Sequence, residues 1–196
     1  MPRFTSALTL LAVTALTAGQ ASAEAPSGKY VLEKTHAYIT LSYLHLGFSR
    51  PQVGFNAFEA TLDYNAEAPE KSSIQVVIDA SSVDSRVEEF DEHLVGERFF
   101  DTANHPQITF TSTAVEMTGA TTAKITGDLT IKGQTHPVTL DAVLNRAAVH
   151  PMLKVPMLGF DASATLNRSQ WGLGYAVPAV GDEVDLEISV EMMPGD

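Results

Sequence analysis

The amino-acid sequence predicts an all-β domain in which about eight antiparallel strands curl into a closed barrel or a sandwich. Three observations predict it. The first is the run Gly127–Leu140 with its flanks, which writes two half-buried strands and the turn between them. Ile125, Gly127, Leu129 and Ile131 alternate with Thr126, Asp128, Thr130 and Lys132. The period breaks at Lys132-Gly-Gln-Thr135 and resumes through Val138, Leu140, Ala142 and Leu144. Period-two patterning either side of a Gly-containing turn is the signature of an antiparallel hairpin. Second, the same alternation recurs along most of the chain, so one face of a long sheet is apolar. Third, one segment departs from it: Ser82–Phe100 is rich in Glu, Arg and Asp and places Val87, Phe90 and Leu94 at helical spacing.

The elements follow in order. After an Ala/Pro/Ser/Gly lead (Ala25–Gly28), Tyr30-Val-Leu32 begins the ordered part, and Ile39, Leu41 and Tyr43 alternate with Thr40, Ser42 and Leu44. Phe58, Ala60, Leu62 and Tyr64 form the next apolar face. Ala66–Ser73, with Pro69, reads as a turn, and Ser73–Ala80 as a strand through Ile74, Val76 and Ile78. Ser82–Phe100 reads as a short amphipathic helix capped by Ser82, Asp84 or Ser85, lying over the barrel or plugging an end. Ile108-Thr-Phe-Thr-Ser112 is strand-like, and His105-Pro and His136-Pro read as residues that set the backbone before a strand begins. Pro151, Pro156 and Gly159 predict a long loop before a strand at Phe160, Ala162, Ala164 and Leu166. A helical turn is expected near Asn167-Arg168-Ser169, and Leu186, Ile188, Val190 and Met192 close the chain.

Residues 1–23 read as a secretory signal peptide: Arg3 near the start, a small apolar run from Ala7 to Ala18, and an Ala21-Ser-Ala23 cleavage site. Residues 24–196 then form one domain, large enough for a sizeable core. No later segment approaches the roughly 20 apolar residues of a spanning helix, so no stable membrane insertion is expected and the expected location is the periplasm. The formal net charge is −12, and removing Arg3 makes it one unit more negative; such a field repels nucleic acid and anionic surfaces. With no cysteine, disulfides, thiolate metal sites and cysteine nucleophiles are excluded.

No catalytic constellation emerges. Of the six histidines, none sits in a ligand spacing, and no metal site is expected; His36, His45 and His93 are those that strand pairing could gather. Glu88, Glu89, Asp91 and Glu92 read as a solvated helix face, and no nucleophile elbow exists. The sequence instead argues for a cavity. An eight-stranded barrel either fills with side chains or holds one slender ligand, and the inward positions Ala60, Gly127, Ala142, Ala162 and Ala164 are small. Interleaved with Phe55, Phe58, Phe99, Phe100, Phe110, Phe160 and Trp171, they leave an apolar tunnel, the alternative being a solid core of interdigitated large and small residues.

A series of segments carries a resemblance to a known family: His45-Leu-Gly-Phe-Ser49, Gly54-Phe-Asn-Ala-Phe58, Asp91-Glu-His-Leu94 with Phe99-Phe-Asp101, His105-Pro-Gln-Ile-Thr-Phe-Thr-Ser112, Gly127-Asp-Leu-Thr-Ile-Lys-Gly133, Pro137-Val-Thr-Leu140, Gly159-Phe160, Leu166-Asn-Arg-Ser169 and Val180-Gly-Asp-Glu-Val184. In this order the chain resembles the YceI-like, polyisoprenoid-binding periplasmic proteins, with a lipocalin-like barrel. Two positions depart: Phe90 stands where the family commonly has a basic residue, and Glu33 where it usually has Asp. The resemblance implies a tunnel holding a long isoprenoid lipid, polyprenyl or quinone-type, with no other cofactor, in a homodimer. Candidate headgroup contacts are His45, His93 and Arg168, and candidate tunnel walls are Phe58, Phe99, Phe110, Phe160 and Trp171. The leading expectation is a carrier or buffer without catalytic activity. The alternatives are an enzyme acting on such a lipid, with His93 and a neighbouring carboxylate as acid and base, and a stress-response interaction module without bound ligand.

Overall fold

Each alternating stretch becomes a strand in the computed structural model, which describes residues 25–195; the expected signal peptide lies outside them. The strands are β1 (Gly28–His45), β2 (Gln52–Phe55), β3 (Phe58–Tyr64), β4 (Ser73–Asp79), β5 (Val83–Asp84), β6 (Gln107–Met117), β7 (Thr122–Ile131), β8 (Gln134–Val149), β9 (Pro156–Asn167) and β10 (Val180–Pro194). Among the described residues a single α-helix, α1 (Glu88–Val95), follows β5. β2 and β3 are one interrupted strand: β2 pairs with the Thr40–Ser42 part of β1, and β3 with its start at Gly28–Val31. β5 continues β4 and pairs with β2. Counted this way the sheet has eight antiparallel paths, and pairing of β1 with β10 closes it. Closure chooses the barrel over the sandwich.

The turn predicted at Lys132-Gly133 has positive φ at both residues, 49° and 72°. This is the mirror-image two-residue turn whose twist matches that of hairpin strands. The long loop expected before Phe160 is absent. β9 already begins at Pro156, so only a short turn separates it from β8, and Pro156 opens the strand, where its missing N–H is tolerated.

Three bulges keep the apolar face inward where the alternation changes phase. In β1, Tyr30 and Leu32 are core residues, the register against β10 jumps between Glu33 and Ala37, and the inward residues after the jump are Ile39, Leu41 and Tyr43. Even positions give way to odd ones because Lys34, Thr35 and His36 loop out. Glu33 closes this loop, accepting from the Thr35 hydroxyl at 2.8 Å and meeting His36 Nδ1 at 2.8 Å. Burial pushes the Glu33 carboxyl up, but the Thr35 and His36 bonds together outweigh it and hold the group below its ordinary range. The β6 shift between Ser112 and Ala114 and the β8 shift between Leu144 and Arg146 make the same phase change.

Gly127 sits where a side chain could not. A Cβ there would lie 2.5 Å from Phe110 Cζ and 2.5 Å from the Thr111 carbonyl oxygen, because the Phe110 ring lies across the glycine from the neighbouring strand. The position therefore leaves no free volume, contrary to the sequence expectation. Gly127→Ala must displace either the ring or the β6 backbone, and overpacking of this kind costs about 1–3 kcal/mol. A clear drop in Tm in a thermal melt is the expected result; a melt superimposable on the wild type would show that the ring moves freely.

Candidate functional site

The interior holds two largely apolar chambers. The upper one, about 300 Å³, is walled by Leu41, Val53, Phe100, Ile131, Leu166, Trp171 and Val184 at the end of the barrel where β1 finishes. The lower one, about 480 Å³, is walled by apolar residues including Phe58, Ala60, Phe110, Leu140, Ala142, Phe160, Ala162 and Ile188, and also by Tyr64, Ser72, Thr121, Asn145 and Arg146. No residue lines both. Between them lies a waist of core residues that line neither, among them Ile78, Ile108, Leu129, Val138, Ala164 and Leu186. The single tunnel expected from the sequence is thus divided. Of the small residues proposed to open it, Ala60, Ala142 and Ala162 do line the lower chamber, whereas Ala164 belongs to the waist. Phe55 lines neither chamber and instead packs edge-on against Phe100, 5.5 Å between ring centroids.

The upper chamber opens between β1, α1 and the loop joining β9 to β10. α1 is shorter than Ser82–Phe100 because Ser82 and Asp84 are engaged elsewhere: the Ser82 hydroxyl bonds the Asp79 carbonyl at 2.7 Å and Asp84 accepts from Asn56 and from the Arg86 amide. The residue at the cap is Val87, which supplies no side-chain bond and is 56% exposed rather than inward. Phe90 and Leu94 do face the chamber. Phe90 meets Phe99 edge-on at 6.3 Å, Phe99 meets Tyr175 at 5.7 Å, and the Arg98 guanidinium lies 5.2 Å above the Tyr175 ring. This aromatic run braces one side of the mouth.

Arg168 holds the other side. It opens the short 3₁₀ turn Arg168–Trp171, and its guanidinium binds backbone carbonyls: Nε to Gly181 at 2.9 Å, Nη2 to Val180 at 3.1 Å, Nη1 to Tyr175 at 3.1 Å and to Leu173. Four of the five N–H donors of an arginine are thereby engaged in pinning the β9–β10 loop. Desolvation lowers the Arg168 pKa, while the nearby charge of Asp182 and the Tyr43 hydroxyl oppose that shift. Asp182 itself accepts from the Ser169 amide and hydroxyl. The Tyr43 phenol is pushed up by burial, partly countered by Arg168. Trp171, 1% exposed, donates its indole N–H to the Leu129 carbonyl at 3.1 Å and stands edge-on to His136. It ties the floor of the upper chamber to β7.

The residues singled out from the sequence divide between the chambers. His45, His93, Phe99, Arg168 and Trp171 line the upper one, and Phe58, Phe110 and Phe160 the lower one. His36 is apart from both: it lies on the β1 bulge, where its ring, Glu33 and Glu191 bring ligand atoms within 4.8 Å of one another on the outer face. Sequence reasoning missed Tyr43 and Tyr175. Tyr43 stands in phase with Ile39 and Leu41, a polar-tipped ring at an inward position, which was the available signal; Tyr175 lies in a Gly/Ala/Pro loop that offered none. The side chains of Tyr43, His45 and His93 make no hydrogen bond within the described residues. The upper chamber is therefore apolar with three unengaged polar tips and one half-buried cation at its mouth. No carboxylate lines either chamber, so the His93–carboxylate pair of the enzymatic alternative is not assembled there.

A closed antiparallel barrel with an apolar interior and a few convergent polar groups at its mouth has the architecture of the lipocalin-like barrels. More narrowly, the chain belongs to the YceI-like domain family, whose match spans residues 30–192. A UPF0312 protein of Pseudomonas putida (strain W619) is 36% identical over 193 residues, 97% of each chain. The solved YceI protein of Campylobacter jejuni superposes with a TM-score of 0.71 at 27% identity, covering 78% of this chain and 90% of its own. A polyisoprenoid binding domain from Saccharophagus degradans shares the fold, with a TM-score of 0.63 at 11% identity over 85% of this chain and 98% of that one. No helix among the described residues is long and apolar enough to cross a membrane.

Arg168→Lys tests the pinning role. A lysine keeps the charge but cannot fork to four carbonyls. Amides of residues 172–181 should then exchange with deuterium about tenfold faster, with a stability loss of about 1–3 kcal/mol. Unchanged exchange in that loop would mean that the loop is held by other contacts.

Proposed function

We propose that the chain is a periplasmic carrier or buffer for an isoprenoid lipid, polyprenyl or quinone-type. The tail occupies the barrel and the polar head rests at the upper mouth against Tyr43, His45, His93 and the exposed side of Arg168. The observation that carries this reading is the pairing of two largely apolar chambers with the polar tips of Tyr43, His45 and His93, which make no hydrogen bond, at the upper mouth. The description of the Saccharophagus degradans domain as polyisoprenoid binding supports the ligand class. Each methylene buried from water contributes about 0.8 kcal/mol, so even part of a tail supplies ample gross driving force. A tail longer than the upper chamber passes the waist beside Ala164, the smallest side chain there, into the lower chamber. Export, and the homodimer that the family resemblance implies, belong to the same reading.

Native mass spectrometry of the exported protein, purified without detergent and followed by lipid extraction, is the direct test. A stoichiometric isoprenoid is the expected result. An empty protein that also refuses polyprenols and quinones added back would overturn the proposal. The same spectra count chains per assembly.

Two substitutions separate tail from head. Ala164→Phe narrows the waist and should exclude long tails while a short isoprenol still binds; equal uptake of both lengths would place the tail entirely in one chamber. The triple change of Tyr43, His45 and His93 to Phe, Ala and Ala should weaken binding about tenfold or more without changing the preferred tail length.

A further inference from the structure

We propose that Glu33, His36 and Glu191 form a divalent metal site of the zinc class on the outside of the barrel, clipping the seam where β1 meets β10. The proposal is independent of the lipid reading. Glu33 and Glu191 stand directly opposite each other on the closing ladder. His36 reaches them because the ladder jumps there: the register shift between Glu33 and Ala37 loops out Lys34, Thr35 and His36. His36 folds back so that its Nδ1 lies 2.8 Å from Glu33 Oε2. One ligand atom from each of the three residues lies within 4.8 Å of the others. In the sequence only Glu33 and His36 are neighbours; Glu191 arrives from the far end of the chain with the strand that closes the barrel.

The cluster lacks a cation. Carboxylates directly opposite each other on a ladder repel, and no lysine or arginine answers this pair. Lys34 reaches away to Glu59 at 3.0 Å. Arg146, beyond Gly159 in the same row of the sheet, makes no ion pair. Glu33 holds the Thr35 hydroxyl and the imidazole, whereas the half-buried Glu191 makes no hydrogen bond or ion pair among the described residues. A half-buried carboxylate left without a partner is costly. An ion bound between it, Glu33 and the imidazole removes that cost and the repulsion together.

The donor set selects the ion. One imidazole and two carboxylates make a mixed nitrogen and oxygen set, which suits Zn²⁺ rather than the all-oxygen shells of Ca²⁺ and Mg²⁺. Bonds of about 2.1 Å place two ligands of one ion about 3.0–3.4 Å apart. The ion therefore takes the place of the hydrogen between Nδ1 and Oε2, the two atoms separate slightly, and the imidazole keeps its proton on Nε2. The Thr35 hydroxyl, 2.8 Å and 2.9 Å from the two Glu33 oxygens, orients that carboxylate as outer partners of metal ligands do. Room for water in the fourth position lies at Gly159, which pairs with Glu191 and where an added Cβ would meet nothing within 4 Å. The clip falls where the ladder is interrupted, and it braces a chamber wall: Val190 and Met192, on either side of Glu191, line the lower chamber.

Calorimetric titration of zinc chloride into the exported protein, first stripped of metal with EDTA and dialysed, tests it. The wild type should take up one ion per chain with a Kd on the order of micromolar or tighter. E191Q and H36N should each bind at least tenfold more weakly. E187Q, which removes an exposed carboxylate of the same strand that makes no contact, should match the wild type. Zinc at a hundredfold excess over its Kd should raise the wild-type Tm by about 5 °C or more, reversibly with EDTA, and should leave that of E191Q nearly unmoved. Calcium or magnesium chloride at the same concentration should do neither. Wild type that gives neither binding heat nor a Tm shift overturns the proposal. So does undiminished binding by E191Q and H36N, which would assign the zinc to other histidines, or equal weakening by E187Q, which would reduce the effect to surface charge. A response to calcium or magnesium equal to that to zinc would overturn the assignment to a mixed donor set.

Discussion

The pairing of β1 with β10 is the constraint on which the rest depends. It runs from Tyr30 opposite Pro194 to His45 opposite Val180, joining the two ends of the described chain along nearly the full height of the barrel. An open sheet of the same strands would leave two long edges with unpaired N–H and C=O groups and expose its apolar face. Closure removes both problems and creates the interior. β1 then supplies Ile39 to the lower chamber and Leu41, Tyr43 and His45 to the upper, so the strand that seals the barrel also furnishes both cavities. Its bulge at Lys34–His36 is what permits this. Without a change of phase, Leu41 and Tyr43 would face solvent.

Closure of the sheet leaves the ends open, and the two halves of the upper end are held by different physics. On the α1 side the hold is aromatic, Phe90 to Phe99 to Tyr175 with Arg98 above the last ring. On the β9–β10 side it is polar, a single guanidinium bonding the loop carbonyls of Leu173 and Tyr175 and the carbonyls of Val180 and Gly181 at the start of β10. A buried carbonyl without a partner is costly, and Arg168 meets that demand at Leu173, Tyr175, Val180 and Gly181. Its positive charge is then a by-product of loop architecture placed at the chamber mouth. That is why Arg168 reads in the sequence as a ligand contact and in the structure chiefly as a strut, with one donor to spare.

The sheet was legible because its signal is periodic and local. The β7–β8 hairpin, β3, β4 and β10 follow directly from alternation and turn residues, and the Lys132-Gly133 turn takes the expected mirror-image form. The failures have equally local causes. Helical spacing extended α1 over Ser82–Phe100, although Ser82 and Asp84 find partners in the β-structure that outcompete capping. Pro156 and Gly159 suggested a loop, but a proline is harmless at the first residue of a strand, and Gly159 is absorbed opposite the β8 bulge. The two-chamber interior was not legible. It depends on which inward side chains meet across the barrel, and the Phe110 ring over Gly127 shows how a small residue in sequence can be a filled position in space. Nor could periodicity distinguish His45, which faces the chamber, from His36, which the bulge turns outward.

The waist bears on how a barrel of this kind could discriminate among lipids. Against water, any long apolar tail binds. Against a bilayer, the relevant competitor, moving a tail into an apolar chamber is nearly neutral, because both environments exclude water from the same methylenes. Discrimination must then come from shape and from the head. A smooth tunnel would accept any chain of suitable length. On the proposed reading, two chambers separated by a packed waist would offer less, since a tail reaching both would have to displace waist side chains such as Leu129, Val138 and Leu186. Cores resist such intrusion through packing that is close to solid, so each ligand is weighed by the repacking it demands at the waist. The three unengaged tips of Tyr43, His45 and His93 add a second criterion at the mouth, since a head that leaves them unpaired on closing over them forfeits their hydration without replacing it. On the proposed lipid-binding reading, tail shape and head chemistry would thus be read at two separate heights of one barrel.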